Sequence, residues 1–266
     1  MNFRIISALV MRYIYLYTRT PMRLVELVFW PMVDLLIWGN VSVMVKNHTS
    51  GDFQIGAALL GGTILWDVTF RAQQGVAISF LEDVWTRNLL NVFVAPVREA
   101  EYLASTYCVG LMRILITVVI MSLVALVVYG FNITSLGLPL IPFVFNLLLT
   151  GWALGMISTA LILRWGQAVE SLAWAIPFFI QPFSAVFNPI GDIKPSWMQY
   201  WFAEKLPTTH VFEGMRQVLE KGTFSWEHFG WACLLNVILM AAAGLIFTTM
   251  LRLTRKRGLL TKFATQ

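Results

Sequence analysis

Charge is what this sequence has least of. Only 12% of its 266 residues are Asp, Glu, Lys or Arg, whereas 58% are hydrophobic; a soluble globular domain carries about 25% charged residues. The apolar residues form long runs rather than an amphipathic pattern, and the mean hydropathy is +0.71. These values exclude a soluble enzyme and predict that most of the chain lies in lipid. The net charge of +5 does not predict nucleic-acid binding, because the basic residues do not cluster on a soluble domain.

The sequence also lacks the motifs of the common catalytic and metal sites. Its two cysteines, Cys108 and Cys233, lie in apolar runs without metal-ligand spacing and are expected to be free thiols. A phosphate-binding loop of the form GxxxxGK(S/T), a dinucleotide-binding fingerprint and a nucleophile elbow are all missing. We therefore expect no enzymatic activity, cofactor or metal in this chain, and any work that it performs must be powered from elsewhere.

Six apolar stretches are long enough to cross a bilayer, which takes about 20 residues. They lie at 24–45, 55–75, 103–129, 138–163, 170–189 and 228–251. Because the runs are continuous rather than alternating, they predict helices. The expected fold is an all-α integral membrane protein with six transmembrane helices in one domain, residues 1–266.

Basic residues near the span ends predict the orientation. Most of the 19 Lys and Arg residues fall in the N-terminal segment, in the connections after the second and fourth spans, and in the C-terminal tail. The opposite connections hold few of them. Both termini are therefore expected in the cytoplasm, with the protein integral to the plasma membrane, or to the inner membrane of a bacterium.

Residues 1–22 predict an amphipathic helix that lies in the membrane interface. Arg4, Arg12, Arg19 and Arg23 fall within an arc of about 100°, opposite an apolar side. The arginines would face phosphates and cytoplasm, and the apolar side would enter the acyl boundary. The alternative is a poorly ordered basic leader.

Residues 76–102 form a cytoplasmic connection that is richer in charge than its surroundings. Ser79 and Glu82 have capping-box spacing, and apolar residues recur at helical intervals until Pro96. A short amphipathic helix is therefore predicted here, and its polar side is a candidate contact for a soluble partner. Its polar residues are Glu82, Asp83, Thr86, Arg87 and Asn88. The alternative is a helix that only lies on lipid.

Residues 188–227 form a long external connection that is too apolar for a solvated loop. Pro189, Pro195 and Pro207 divide it, and Trp197 and Trp201 suit the headgroup level. Irregular backbone at membrane depth requires cover by protein. A pair of short helices that re-enter the outer leaflet is therefore predicted before the sixth span.

Ionisable residues within spans are candidates for function. Asp34 in the first span and Asp67 in the second lie at similar depth, and Arg71 follows Asp67 by one helical turn. An Asp67–Arg71 pair, joined by Asp34 across the helix contact, would remove much of the desolvation cost. Such a cluster is either a structural clamp or a site of ion coupling or substrate contact.

In the order of its parts, the chain resembles the permease subunits of ABC-2 type exporters, a membrane fold also called type V. Three stretches carry this resemblance. The first is the N-terminal helix, from Asn2-Phe3-Arg4 to Arg23. The second is Phe80-Leu81-Glu82-Asp83-Val84-Trp85-Thr86-Arg87-Asn88-Leu89-Leu90-Asn91 with Val94-Ala95-Pro96, and the third is Leu206-Pro207-Thr208-Thr209-His210 with Glu213 and Arg216.

The resemblance implies a homodimer in membrane lipid, with each copy docked through its coupling helix onto a separate ATP-binding cassette subunit that holds ATP and Mg. It assigns coupling to Glu82, Asp83, Trp85, Arg87 and Asn88. The first, second and fifth spans would line the path, and a re-entrant motif would comprise Pro207, Glu213 and Arg216. Candidate pathway residues are Trp174, Phe178, Phe179, Gln181 and Phe183, although lipid-facing or core packing explains these aromatic residues equally well.

The implied substrate is either a glycan or lipid-linked glycan, or a hydrophobic drug or lipid. A self-powered channel or secondary transporter is the competing class. It would be expected to show inverted repeats or a second set of intramembrane ions, and the sequence displays neither.

Overall fold

The structure, a computed structural model, describes residues 2–48, 53–86 and 88–256, and the ordered elements within these ranges are helical. The α-helices are α1 Phe3–Arg19, α2 Pro21–His48, α3 Phe53–Trp85, α4 Leu89–Val94, α5 Glu99–Tyr129, α6 Leu140–Trp165, α7 Glu170–Ile180, α8 Ser196–Trp201, α9 Pro207–Lys221 and α10 Trp226–Lys256. The prediction of an all-α protein is thus confirmed for the described ranges.

Four of these helices are long and apolar enough to cross a membrane: Met22–Val45 in α2, Glu99–Tyr129, Leu140–Trp165 and Trp226–Lys256. They correspond to the first, third, fourth and sixth predicted spans. Four spans, rather than six, therefore have support among the described residues.

The predicted second span is the first part of α3, a continuous helix of 33 residues. Nearly every side chain from Gly56 to Val84 is buried, because α3 packs against α2, α5, α6 and α7. Protein rather than lipid surrounds it, which explains how it accommodates polar residues such as Gln73 and Gln74. These residues reduce its hydropathy.

The predicted fifth span, 170–189, contains only the 11-residue helix α7, followed by a 3-10 turn at Gln181–Phe183. At about 1.5 Å per residue, 11 residues extend roughly 16 Å, about half of the hydrocarbon thickness. Pro182 and Pro189 interrupt the apolar run, so its length does not become helix length.

The predicted boundaries of the coupling helix, which was expected to begin at Ser79, are also wrong. Ser79 is a fully buried residue inside α3, which continues to Trp85. The chain turns after Thr86, and the separate helix α4 has only six residues and ends before Pro96. A capping box does occur nearby, at the start of α5, where Arg98 N donates to Glu101 Oε2 at 3.0 Å.

Glycines bring α3 close to its neighbours. Gly151 and Gly155 form a GxxxG pair, which predicts close packing within the chain. Both glycines of α6 lie directly against α3: a Cβ at Gly155 would be 2.8 Å from the Gln73 carbonyl oxygen. The predicted intrachain packing is confirmed.

The connection 188–227 contains the predicted pair of short helices, α8 and α9. α9 is the larger, and it is buried through Thr208, Thr209, Val211, Phe212 and Met215. It packs against α10, α6 and α3, so this segment is part of the helix bundle.

The N-terminal helix is present as α1, capped by Asn2, whose side chain accepts from Arg4 N. Arg4 and Arg19 are exposed as predicted, but Tyr13 is fully buried. Arg12 and Arg23 also differ from the prediction, because both turn inward to acidic residues of α3. Contacts with α5 and α2 therefore hold α1 against the bundle.

Candidate functional site

The first part of the candidate site is a set of charges at the end of α3, which we call the ion cluster: Arg12, Arg23, Glu82, Asp83 and Arg113. Glu82, Asp83 and Arg113 are buried, whereas Arg12 and Arg23 are half-buried. Glu82 Oε1 accepts a hydrogen bond from Arg23 Nη1 at 2.8 Å and lies 3.8 Å from Arg113 Nη2. The two arginines come from α2 and α5. A single carboxylate of α3 thus joins two other helices.

Asp83 makes the corresponding contacts to α1. Arg12 Nη2 donates to its Oδ1 at 2.6 Å, while Tyr13 and Tyr102 donate to its Oδ2 at 2.9 and 3.0 Å. Tyr13 also donates to the Ser79 carbonyl at 3.3 Å. Helices α1, α3 and α5 meet at this carboxylate.

Burial controls the protonation of this cluster. It raises the pKa of Glu82, against the opposing effect of Arg113 and Arg23, and it raises the pKa of Tyr17, a donor to Glu82, to about 12. Tyr13 has its pKa raised well above the ordinary value by burial and by Asp83, so its hydroxyl remains a donor at neutral pH.

The ion cluster has three arginines and two carboxylates, which leaves one positive charge without a carboxylate of its own. Arg113 lies 4.6 Å from the Tyr17 ring centroid, a distance at which a cation–π interaction stabilises a positive charge.

The predicted coupling residues divide into two groups. Glu82 and Asp83 are only 4% and 3% exposed, so they face the helices of this chain rather than a partner. Trp85 and Thr86 are exposed and Asn88 is half-buried, next to α4. Trp85 Nε1 donates to Glu170 Oε2 of α7 at 3.2 Å, and Arg87 lies outside the described residues.

The second part is a cavity of about 550 Å³ between α2, α3 and α7, which we call the α2–α3–α7 cavity. Its lining includes the aromatic residues Trp30, Trp66, Phe70, Trp174 and Phe178 and the polar residues Asp34, Asp67, Arg71, Gln74 and Gln181. All three predicted intramembrane charges lie here. Arg71 Nε is 3.2 Å from Asp67 Oδ1, the predicted pair, and Arg71 Nη1 is 3.2 Å from Gln74 Oε1.

Three of the five candidate pathway residues line this cavity: Trp174, Phe178 and Gln181. The other two do not. Phe179 is 68% exposed, and Phe183 packs on Phe179 and Phe202.

Seven further lining residues were not among the predicted site residues, and the aromatic and polar ones among them are Trp30, Trp66, Phe70 and Gln74. The spacing of three of them contains a signal: Trp30 precedes Asp34 by four residues, and Phe70 and Gln74 follow Asp67 by three and seven, whereas Trp66 is adjacent to Asp67 and has no such spacing. These intervals place residues on one helix face. The helix faces that carry Asp34 and Asp67, followed for one or two more turns, therefore indicate residues of the cavity wall.

The residues of the predicted re-entrant motif hold the chain that follows α7. Pro207 is the first residue of α9. Glu213 Oε1 accepts from Ile190 N at 2.8 Å and from Arg216 Nη1 at 3.0 Å. Arg216 also donates to the carbonyls of Ala185 and Val186. The motif thereby fixes the loop at the far end of a cavity wall.

Residues 4–219 match the protein-family profile described as ABC-2 type transporter. A curated relative, ABC transporter G family member 20 from Dictyostelium discoideum, is 27% identical over 183 residues, or 68% of this chain. The chain spans only about a quarter of that relative's length, 24%.

Proposed function

Because this chain belongs to the ABC-2 type transporter family, we propose that it is the permease subunit of an ATP-driven exporter. Two copies form the translocation path, and each binds a separate ATP-binding cassette subunit that carries ATP and Mg²⁺. The chain is integral to the plasma or bacterial inner membrane with both termini in the cytoplasm, and substrate leaves the cytoplasm between the two copies.

The continuity of α3 is the observation that carries this proposal. Asp67 lines the cavity and Asp83 belongs to the ion cluster, and both are residues of this one helix. They are 16 positions apart in the sequence, or about 24 Å along the helix axis. A displacement of the ion cluster therefore moves a wall of the cavity.

The coupling surface of the proposal is α4 with Trp85, Thr86 and Asn88. Val94 at the end of α4 is 78% exposed, an unusual position for a valine that faces water. The cassette subunit binds this surface, and Glu82 and Asp83 transmit its motion from inside. Trp85 transmits it to α7 as well, through the hydrogen bond to Glu170.

A pull-down from membranes tests this function. The tagged chain is extracted in mild detergent, the co-purifying proteins are identified, and their ATPase activity is measured. We expect a cassette ATPase to co-purify, and we expect Val94→Asp to lose it by introducing a charge into the contact. Ser196→Asp, at an exposed position of α8, is the matched control and should retain it. Substrate flux that persists without ATP or a cassette ATPase would instead indicate a self-powered channel or secondary transporter.

A further inference from the structure

The charges that line the α2–α3–α7 cavity do not balance. Among its described lining residues, the charged ones are Asp34, Asp67 and Arg71, two carboxylates against one guanidinium. They leave one net negative charge in a site walled by apolar side chains, where electrostatic interactions are stronger than in water. Desolvation of this uncompensated charge is costly, and a bound cation would offset the cost.

The positive group of the cavity is already engaged. Arg71 directs Nε to Asp67 Oδ1 and Nη1 to Gln74 Oε1, both at 3.2 Å. An anionic ligand would compete with these contacts and face the two carboxylates. By contrast, Asp67 Oδ2 is buried without a hydrogen-bond partner among the described residues. An open acceptor of this kind fits a cation or another donor group.

The aromatic side chains define the rest of the ligand. Trp30, Trp66, Phe70, Trp174 and Phe178 line the same cavity. Such rings bind flat apolar groups and attract cations to their faces. Gln74 and Gln181 are the neutral polar side chains of the described lining, which is few for a glycan whose many hydroxyl groups each need a partner when buried.

We propose that the α2–α3–α7 cavity binds monovalent organic cations that carry an aromatic body. The positive group lies between Asp34 and Asp67, and the body packs on the aromatic walls. The claim that these cations are the substrates of an exporter rests on the proposed function, whereas the claim that they bind to the chain does not. The proposal selects a charged amphiphile over the glycans that the family resemblance also allows.

Two probes of matched size and opposite charge test the inference on the unmodified chain. Tetraphenylphosphonium is the cation and tetraphenylborate is its anionic counterpart. Binding is measured by equilibrium dialysis at pH 7.5 with the full chain in phosphatidylcholine nanodiscs, after subtraction of the uptake by empty nanodiscs. We expect the cation to bind at least about tenfold more tightly than the anion. Equal binding of the two probes, or tighter binding of the anion, overturns the proposal.

Variants locate the binding. Asp34→Asn leaves the Asp67–Arg71 pair in place, and we expect it to weaken binding of the cation about tenfold or more without such an effect on the anion. Asp67→Asn, which retains an acceptor for Arg71, should weaken the cation similarly. Glu26→Gln removes a carboxylate from an exposed position of the same helix as Asp34 and should leave binding unchanged. Unchanged affinity in Asp34→Asn, or an equal loss in Glu26→Gln, overturns the assignment to this cavity.

The same preparations separate this inference from the function on which it rests. With a co-purified ATPase, tetraphenylphosphonium should stimulate ATP hydrolysis in the wild type and not in Asp34→Asn. An active ATPase complex whose chain fails to prefer the cation overturns the substrate class and leaves the transporter assignment intact. Binding of the cation that depends on Asp34, in a chain that recruits no ATPase, supports the site and overturns the proposed function.

Discussion

The Tyr13 hydroxyl donates a 2.9 Å hydrogen bond to Asp83 Oδ2 across 70 positions of sequence. It ties α1 to the end of α3, where Tyr102 reaches the same oxygen from α5. Both tyrosines and the carboxylate are buried, so a hydrogen bond that is lost here is not replaced by one to water.

Tyr13→Phe should lower the stability of the folded chain by about 1–2 kcal/mol, since it removes the hydroxyl that contacts Asp83 and the Ser79 carbonyl and keeps the ring. Thermal unfolding in detergent measures the change. Tyr15→Phe removes a hydroxyl from an exposed neighbour on the same helix and should have no effect. Equal shifts in the two variants would contradict a specific role for the Tyr13 bond.

Glu82→Gln should lower the free energy of unfolding by about 3 kcal/mol, more than Tyr13→Phe, because it leaves Arg23 and Arg113 near a neutral amide in a buried site. It should also reduce stimulation of the co-purified ATPase by substrate, because Glu82 lies on the proposed transmission route. Glu227→Gln, at an exposed position, is the control for both measurements. A variant as stable as the wild type would show that the pairs of Glu82 are energetically neutral.

Gly151→Ala should destabilise the α3–α6 contact by about 1–3 kcal/mol. Its Cβ would collide with the Ala72 Cβ and lie 2.5 Å from the Thr69 carbonyl oxygen, an atom of rigid helix backbone. Gly244→Ala offers a matched comparison in α10, where nothing lies within 4 Å of the added atom. That variant should gain up to about 1 kcal/mol from helix propensity, so denaturation midpoints should move in opposite directions.

His210 makes stability depend on pH. Its Nδ1 is 3.3 Å from His228 Nδ1, and burial, followed by smaller effects that include the charge of His228, lowers the pKa of His210 below 6.5. The unfolded chain therefore binds more protons than the folded chain below about pH 6.5. The stabilising contribution of neutral His210 is present above that pH and is lost as the pH falls.

Melting temperatures at pH 7.5, 6.5 and 5.5 test this dependence. The wild type should lose stability toward pH 5.5, and His210→Gln should lose less over the same interval. His48→Gln alters an exposed histidine and should follow the wild-type slope. Parallel slopes in all three proteins would exclude His210 as the titrating group.

Local composition was sufficient to predict the helices that consist of a long apolar run. The spans at 24–45, 103–129, 138–163 and 228–251 each correspond to a long helix, because a backbone in lipid must satisfy its own hydrogen bonds. The 170–189 prediction was wrong for the complementary reason: hydropathy counts Pro182 and Pro189 within the run, although neither extends the α-helix α7, which ends at Ile180.

The end of α3 could not be predicted locally, because its environment comes from distant residues. Glu82 and Asp83 have the composition of a solvent-exposed turn, yet Arg12 and Arg113 reach them from α1 and α5. No window of neighbouring residues contains these partners. Within the cavity, the Asp67–Arg71 pair follows from helical spacing, whereas the contribution of Trp174 depends on how α7 packs against α3.

The burial of α3 has a consequence for how freely the gene can vary. In α2, α5 and α10 much of the surface is exposed on the bundle, and lipid accepts almost any apolar side chain there. Between Gly56 and Val84 neighbouring protein restricts volume and polarity on nearly every side. In a library of random variants, the codons of this stretch should tolerate the fewest substitutions in the chain, even though its apolar character is weaker than that of the spans around it.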